Sequence, residues 1–103
     1  MTGLALVLAE ADGPRVEAAL ELAAAAAALG DPVGLFLSRD ALRLLGGGAA
    51  PLTILLELGA DVGVCQTSMA ARGIDAAGLP PGIEPLGLVG FLSERRGWRI
   101  LMC

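Results

Sequence analysis

The sequence predicts an α/β protein whose small, mainly parallel sheet of four to five strands has helices on both faces. Several short apolar runs lack any alternation with polar residues, which is typical of strands covered on both sides. These runs alternate along the chain with helical segments, and this order favours parallel pairing. With 103 residues, the chain is expected to form one domain, residues 1–103.

The first strand and the first helix are predicted at residues 4–9 and 14–29. The strand is the continuous apolar run Leu-Ala-Leu-Val-Leu-Ala. Asp12 can cap the helix that follows, and Pro14 suits its first turn. The Ala-rich centre of the helix has the highest helix propensity, and Gly30 supplies a C-terminal stop.

The middle of the chain predicts two more strands with two short helices between them. The second and third strands are the apolar runs 32–37 and 61–65. Short helices are expected at 41–45 and 52–58, joined by a Gly-rich loop at 46–51. This loop lacks the sequence context of a phosphate-binding motif, so a mobile connection is the better interpretation.

The last third of the chain gives a less definite prediction of secondary structure than the first two thirds. Residues 66–74 predict a short helix, and residues 75–82 predict a loop. The segment 86–92 is compatible either with a buried strand or with a helix that begins near Pro85. Residues 98–102 predict the final strand.

Composition excludes many kinds of chemistry. The chain has no His, Lys, Tyr or Asn, and all seven basic residues are Arg. This removes imidazole bases, Schiff-base lysines and the P-loop lysine, and it leaves no usual set of zinc ligands. The net charge of −4, the scattered arginines and the single Trp and two Phe argue against nucleic-acid binding. We therefore expect no metal, no organic cofactor and no nucleic-acid partner.

The chain is expected to be cytoplasmic and to self-associate. Two cysteines are too few for a disulfide-rich secreted scaffold, and the first residues lack the features of a signal peptide. The longest apolar helix candidate, 16–29, is too short for a membrane span. Hydrophobic residues make up 55% of this small chain, which predicts a homo-oligomer; an Ala/Leu-rich composition bias is the alternative.

Cys65 is the leading candidate for a catalytic residue. It stands where the third strand ends and a helix begins, at the edge where open α/β sheets build their sites. Free N–H groups at a helix start favour the thiolate over the thiol. The polar residues Gln66, Thr67 and Ser68 follow, and Arg72 is a candidate anion stabiliser. The alternative is a buried, inert cysteine.

Polar residues also follow the first two strands. Glu10, Asp12, Ser38 and Asp40 are expected to gather near Cys65 at one edge of the sheet. Carboxylates there could take part in acid–base chemistry, although such residues more often cap helices and turns. Their negative charge would oppose formation of a thiolate.

Cys103 follows the final strand and is expected at the same edge of the sheet as Cys65. If the two strands were neighbours, their separation of about 4.8 Å would allow a disulfide. Cys103 could then resolve an oxidised or persulfidated Cys65. The alternative is that Cys103 is a frayed terminal residue.

The residues around Cys65 resemble the central signature of the DsrE/DsrF-like family, whose TusD-type members are sulfur-relay subunits. In that family an apolar strand ends in the sulfur-carrying cysteine, and an Arg-Gly dipeptide follows at a set spacing, as Arg72 and Gly73 do here. The Ala-rich first helix, the second strand with Asp40 behind it, and the closing helix and strand are also similar. The matching segments are residues 28–30, 33–37, 62–65, 71–74, 86–88 and 98–101.

This resemblance implies a three-layer α/β/α domain that assembles into trimers or hexamers. It also implies a persulfide that is carried on Cys65 and passed to another protein, with a TusA-like donor or a DsrC-like acceptor as the typical partner. We therefore expect a cytoplasmic, sulfurtransferase-like sulfur carrier that needs no cofactor, because the reaction requires only a thiolate and a persulfide sulfur. The alternatives are a structural or regulatory subunit with an incidental cysteine, and a thiol peroxidase-like protein in which peroxide oxidises Cys65 to a sulfenate.

Overall fold

A computed structural model describes residues 2–46 and 50–103. Strands and helices alternate along these residues. The strands are β1 Leu4–Leu8, β2 Val33–Leu37, β3 Asp61–Cys65, β4 Ile83–Leu86 and β5 Arg99–Met102. The α-helices are α1 Pro14–Ala28, α2 Ala50–Glu57, α3 Gln66–Ala71 and α4 Leu88–Ser93, and 3₁₀ helices span Arg39–Leu45 and Ala76–Gly78.

The described strands form one parallel sheet in the order β4-β3-β2-β1-β5. The predicted α/β/α fold is therefore confirmed, with five strands. The three interior strands are covered on both faces, which explains why their sequences are continuously apolar. The two edge strands are more exposed, and all four residues of β5 are solvent-accessible.

One face of the sheet, called here the closed face, packs against α1 and α2. Alternate residues of the interior strands point to this face because side chains along a strand repeat every two residues. They form an aliphatic core with Val16 and Ala23 of α1 and with Leu52 and Leu55 of α2. The strand residues of this core are Leu6, Leu8, Val33, Leu35, Leu37, Val62 and Val64 of the interior strands and Ile83 of β4.

The opposite face, called here the open face, has a smaller core. Ala5, Val7 and Phe36 pack there against Phe91 of α4. The rings of Phe36 and Phe91 lie with their centroids 5.2 Å apart. Part of the apolar surface on this side remains exposed, at Leu88, Val89, Ile100 and Met102.

The main departure from the sequence-based expectation is β4, which is not predicted. Pro85 lies inside this strand, and it is tolerated because an edge strand has a free side on which the missing N–H is not needed. The ambiguous segment 86–92 forms most of α4, since a helix brings Phe91 into the open-face core.

The helix bounds differ from the expected ones by a few residues. The helix predicted at 41–45 is a 3₁₀ helix that begins at Arg39, and the helix predicted from residue 52 begins at Ala50. The helix predicted to end at residue 74 ends at Ala71. Most of the predicted Gly-rich loop, residues 47–49, lies outside the described residues. No helix in the described part of the chain has the length and hydropathy needed to cross a membrane.

Candidate functional site

Cys65 is the last residue of β3 and directly precedes α3. This is the strand-to-helix junction at which the sequence predicts it. Its side chain points to the open face, because the preceding residue, Val64, points into the closed-face core. Cys65 packs against the cluster that contains Phe36 and Phe91 and remains partly exposed.

An open cleft of about 850 Å³ lies at this edge of the sheet, beside Cys65. Its wall is formed by residues at the carboxyl ends of four strands, along α3 and at the start of α4. The carboxyl ends of parallel strands meet at one edge, so polar residues that are distant in sequence meet here. The polar residues of the wall are Glu10, Ser38, Arg39, Asp40, Thr67, Ser68 and Arg72.

The surroundings of Cys65 favour the thiolate. Partial burial raises the pKa of the thiol, but hydrogen bonds from the hydroxyl and backbone N–H groups of Ser68 and Thr67 more than offset this effect. The pKa of Cys65 is therefore lower than that of an ordinary cysteine. Both residues lie in the first turn of α3, where backbone N–H groups have no partner within the helix. A lowered pKa and partial exposure are the features expected of a nucleophilic cysteine.

Ser68 is held in place by a second segment of the chain. The backbone N–H of Arg39 donates a hydrogen bond to Ser68 Oγ at 2.8 Å. Arg39 begins the 3₁₀ helix that follows β2 and has a φ of 51°, the only positive φ among the described non-glycine residues. Sequence reasoning missed this residue, because no sequence pattern marks an arginine as left-handed.

Arg72 and Asp40, both predicted as supporting residues, form an ion pair at 2.5 Å. The pair joins the end of α3 to the 3₁₀ helix after β2. The guanidinium of Arg72 is therefore already engaged with a carboxylate at the cleft wall. Glu10 lies on the same wall and adds a further negative charge.

Two predicted supporting residues lie outside the wall of the cleft. Gln66 is exposed at the start of α3. Asp12 forms an ion pair with Arg43 at 2.8 Å, which connects the segment before α1 to the 3₁₀ helix. The predicted capping of α1 by Asp12 is wrong, because Gly13 occupies the N-cap and no side chain caps this helix.

Cys103 lies at the same edge of the sheet as Cys65 but not beside it. Two strands, β2 and β1, separate β3 from β5. At a strand spacing of about 4.8 Å, the two strand ends are about 14 Å apart, well beyond the Cα separation of a disulfide. The two side chains also point to opposite faces, since Cys103 packs against the closed-face core and Cys65 against the open-face cluster. This strand order and these orientations are incompatible with an intrachain disulfide.

Cys103 is not a frayed terminal residue either. Its backbone N–H donates to the carbonyl of Val7 at 2.9 Å, and its carbonyl accepts from the N–H of Ala9 at 2.7 Å. Both bonds extend the pairing of β5 with β1. The alternative of a loose chain end is therefore wrong for the backbone of this residue.

A model of the DsrE/DsrF-like family matches residues 4–93. No significant match is found among curated proteins. Several solved structures share the fold. The ychN protein from E. coli is 24% identical, with a TM-score of 0.84 and full coverage of both chains. The protein of unknown function MTH1491 from Methanobacterium thermoautotrophicum is 18% identical, with a TM-score of 0.82 and full coverage of both chains. The conserved protein of unknown function BT1422 from Bacteroides thetaiotaomicron is 18% identical, with a TM-score of 0.72 over 97% of this chain and 94% of that one.

Proposed function

Because the chain belongs to the DsrE/DsrF-like family, we propose that it is a cytoplasmic sulfur-relay protein that carries a persulfide on Cys65 and passes it to a partner protein. The observation that best supports this proposal is the environment of the thiol. Cys65 is partly exposed beside an open cleft, and hydrogen bonds from Thr67 and Ser68 lower the pKa of its thiol. The role of a TusD-type subunit is part of the same proposal.

In the loading step, the Cys65 thiolate attacks the outer sulfur of a donor persulfide, such as one on a TusA-like protein. A new sulfur–sulfur bond forms on Cys65, and the sulfur–sulfur bond of the donor breaks to leave the donor as a thiolate. In the unloading step, the thiolate of an acceptor, such as a DsrC-like protein, attacks the outer sulfur. Cys65 then leaves as a thiolate, so neither step requires an oxidant or a reductant.

A lowered thiol pKa helps both steps of this reaction. More of Cys65 is ionised near neutral pH, which raises the concentration of the attacking thiolate. The same stabilisation makes Cys65 a better leaving group during unloading, because thiols of lower pKa leave faster. Thr67 and Ser68 are therefore proposed to support loading and unloading alike.

The test is a sulfur-loading experiment with inorganic polysulfide as the donor and intact mass as the readout. The reduced wild-type protein is expected to gain one sulfur atom and to lose it on addition of a small thiol. Cys65→Ser is expected to abolish this gain, whereas Cys103→Ser, the matched control, is expected to retain it. Equal loading of the two variants would contradict the proposal.

Two other functions would give different results in related assays. A structural subunit with an incidental cysteine would show a Cys65 that reacts with iodoacetamide only after denaturation. A thiol peroxidase-like protein would form a sulfenate on Cys65 with dilute peroxide, trapped by dimedone, at a rate far above that of a free thiol. If either result is obtained and polysulfide does not load Cys65, the corresponding function replaces the sulfur-carrier proposal.

We also propose that the chain forms a homo-oligomer, a trimer or a hexamer, through the open face and the edge strand β5. Val89 of α4 is 83% exposed and Met102 of β5 is 71% exposed, and both are apolar. Met102 also lines the cleft, so a second copy on this surface would narrow the approach to Cys65. An unpaired edge strand favours such association.

Sedimentation velocity at micromolar concentration tests this assembly. The wild type is expected to sediment as an oligomer, and Val89→Glu is expected to shift it towards the 10.3 kDa monomer. Leu29→Glu is the matched control, because Leu29 is 82% exposed at the end of α1 on the opposite side of the sheet. A monomeric wild type, or equal effects of the two variants, would contradict the proposed surface.

A further inference from the structure

The two edges of the sheet differ in the backbone groups that they present. Strand β4 forms one edge of the described sheet, and β5 forms the other. Along a strand, the N–H and C=O groups of alternate residues point to the same side. An edge with free groups is a template for another strand unless the protein blocks it. The groups that remain free on each edge therefore decide where a strand can be added.

The free side of β4 offers no donor to an added strand. The N–H of Ile83 donates to the carbonyl of Pro80 at 3.2 Å, so it is already engaged within the chain. Pro85 lies two residues further along β4 and points to the same side, and proline has no N–H. Proline on an edge strand is a common device against strand addition. The β4 edge is therefore blocked.

The free side of β5 offers donors and acceptors. The N–H groups of Arg99 and Cys103 donate to carbonyls of the β1 segment at 3.0 and 2.9 Å, so these residues face β1. By the same alternation, Ile100 and Met102 point their N–H and C=O groups away from β1. No strand among the described residues pairs with that side. Their side chains are apolar and 50% and 71% exposed, and β5 contains no proline, so this edge is open.

We propose that β5 pairs antiparallel with β5 of a second copy of this chain, which joins two sheets across a two-fold axis. The proposal deepens the proposed homo-oligomer and rests on it. A two-fold contact uses the same patch on both subunits, and antiparallel pairing places Ile100 of each copy opposite Met102 of the other. Residues paired in this way exchange two N–H···O bonds. In this register, both outward-facing residues of each strand find a partner.

The same register also matches the side chains. Leu101 of one copy lies opposite Leu101 of the other at the two-fold axis, and apolar cross-strand pairs stabilise a sheet. Ile100 and Met102 of opposite copies meet on the open face, since they neighbour open-face residues of β1. Arg99 lies opposite Cys103 of the second copy, so the pairing brings no like charges together. The apolar surface of β5 is thus complementary to itself.

This pairing makes the second copy part of the cleft. Met102 lines the cleft beside Cys65. Ile100 of the second copy would lie opposite Met102 on the same face, with about 5.5 Å between their Cα atoms. The wall of each cleft is therefore completed by a residue of the other copy.

The pairing also distinguishes the two proposed assemblies. A cyclic trimer has no two-fold axis, whereas a hexamer built from two trimers contains such axes. Pairing through β5 is therefore compatible with the hexamer and incompatible with the trimer.

The first experiment is a disulfide cross-link in a background of Cys65→Ser and Cys103→Ser. Leu101→Cys places two thiols opposite each other in a non-hydrogen-bonded pair, whose Cα separation of about 4.5 Å allows a disulfide. Ile100→Cys is the matched control, because the two Ile100 positions are offset by two residues and lie about 8 Å apart. With diamide at micromolar protein, Leu101→Cys is expected to form covalent dimers at least about tenfold faster than Ile100→Cys. Equal rates would overturn the proposal.

The second experiment removes one outward-facing donor without touching the pairing of β5 with β1. Ile100→Pro lacks this N–H, and proline is tolerated on an edge strand whose N–H faces solvent. Sedimentation velocity is expected to show half the wild-type mass, because a two-fold contact is lost. Ile100→Ala, which keeps the N–H and shortens the side chain, is expected to retain the wild-type mass. A natively folded Ile100→Pro protein, judged by circular dichroism, with the wild-type mass would overturn the proposal; if this variant does not fold, the cross-link decides.

The outcomes separate this pairing from the proposed function. If the wild type sediments as a trimer, the proposed homo-oligomer stands and the pairing through β5 is wrong. If it sediments as a monomer, both the assembly and the pairing are wrong, while polysulfide loading still decides the sulfur-carrier role of Cys65. If loading fails while Leu101→Cys cross-links as expected, the sulfur-carrier function is wrong and the pairing stands.

Discussion

The closed and open faces of the sheet use alternate residues of the same strands, yet their chemistry differs. On the closed face, branched aliphatic side chains such as Leu6 and Leu35 are fully buried beneath α1 and α2. On the open face, the strands contribute smaller residues and Phe36, α4 contributes Phe91, and Cys65 lies beside a cleft. The comparison indicates that one face provides most of the stability, which leaves the other free to hold a reactive group.

The open face also holds the only buried charged residue in the described part of the chain, Arg95. Its guanidinium carbon lies 4.2 Å from the ring centroid of Phe91 and 5.5 Å from that of Trp98. Its Nη1 donates to the Phe91 carbonyl at 3.0 Å, while the ion pair with Asp61 is longer, at 3.4 Å, and its Nε has no partner. An arginine stacked on aromatic rings thus fills a position that an aliphatic side chain would fill on the closed face.

The largest predicted effect lies on the closed face. Leu35→Ala is expected to lower the free energy of unfolding by about 2–5 kcal/mol, because it leaves a cavity in a core that α1 and α2 cover. Denaturant unfolding followed by Trp98 fluorescence measures this loss. The alkylation rate of Cys65 below the transition is expected to stay within about twofold of the wild type, since Leu35 and Cys65 point to opposite faces.

Val89→Ala provides the control on the open side. Because Val89 is 83% exposed in the single chain, this truncation is expected to change the free energy of unfolding by less than about 0.5 kcal/mol in the monomer. A cost comparable to that of Leu35→Ala, with no dependence on protein concentration, would contradict the division of the sheet into a stabilising face and an open one.

The contrast between the faces explains which parts of the fold the sequence predicts. The interior strands are identifiable because burial on both sides requires continuous apolar runs, and the order of strands and helices then implies a parallel sheet. Strand β4 is not identifiable, because it is an edge strand of four residues that contains Pro85 and follows a Pro- and Gly-rich loop. Its pairing depends on β3 rather than on its own sequence.

The second prediction tests how Arg95 stabilises the open face. Arg95→Ala is expected to lower the free energy of unfolding by about 2–3 kcal/mol, through the lost packing of its stem and the lost contacts with two aromatic rings. Arg95→Met, which keeps a long side chain, is expected to cost less than about 1 kcal/mol, because replacing a weakly paired buried charge with an apolar group is often neutral. Equal losses in both variants would show that the charge of Arg95, and not the packing of its side chain, provides its contribution to the free energy of unfolding.

The third prediction concerns Gly34, which lies on the open face of β2 directly beneath Arg95. A Cβ at this position would collide with the Arg95 side chain. Gly34→Ala is therefore expected to lower the free energy of unfolding by about 1–3 kcal/mol, the range for overpacking a filled core. The double variant Gly34→Ala with Arg95→Ala tests the mechanism: its cost is expected to be smaller than the sum of the two single costs, and strict additivity would contradict the proposed contact.

The candidate site could be predicted from the sequence only in part, because some of its contacts join residues that are distant in sequence. Cys65, Thr67 and Ser68 are adjacent in sequence, so their junction is visible as a strand end followed by polar residues. The contact between Arg39 and Ser68 depends on a positive φ and on a hydrogen bond that spans 29 residues, neither of which leaves a pattern in the sequence. The disulfide with Cys103 is conditional on β3 and β5 being neighbours, which they are not. Strand order is a long-range property: the alternation of strands and helices implies parallel strands but not which of them are neighbours.

The smallest predicted effect is the pH dependence of stability that Cys65 contributes. Its pKa is lower in the folded protein than in the unfolded chain, so the unfolded state binds more protons in the window between the two values, and stability rises with pH there. This contribution is fully present above the unfolded pKa of about 8.5 and is lost as the pH falls through the folded pKa.

The test compares two proteins that both carry Cys103→Ser, one with Cys65 and one with Cys65→Ser. The free energy of unfolding of the first minus that of the second is therefore expected to increase from about pH 6 to about pH 9. Ser68→Ala is expected to flatten this increase, because it removes one of the bonds that hold the thiolate in the folded state. A difference that stays constant or falls with rising pH would mean that the open face does not stabilise the thiolate. The two faces would then differ in packing but not in their support of a reactive cysteine.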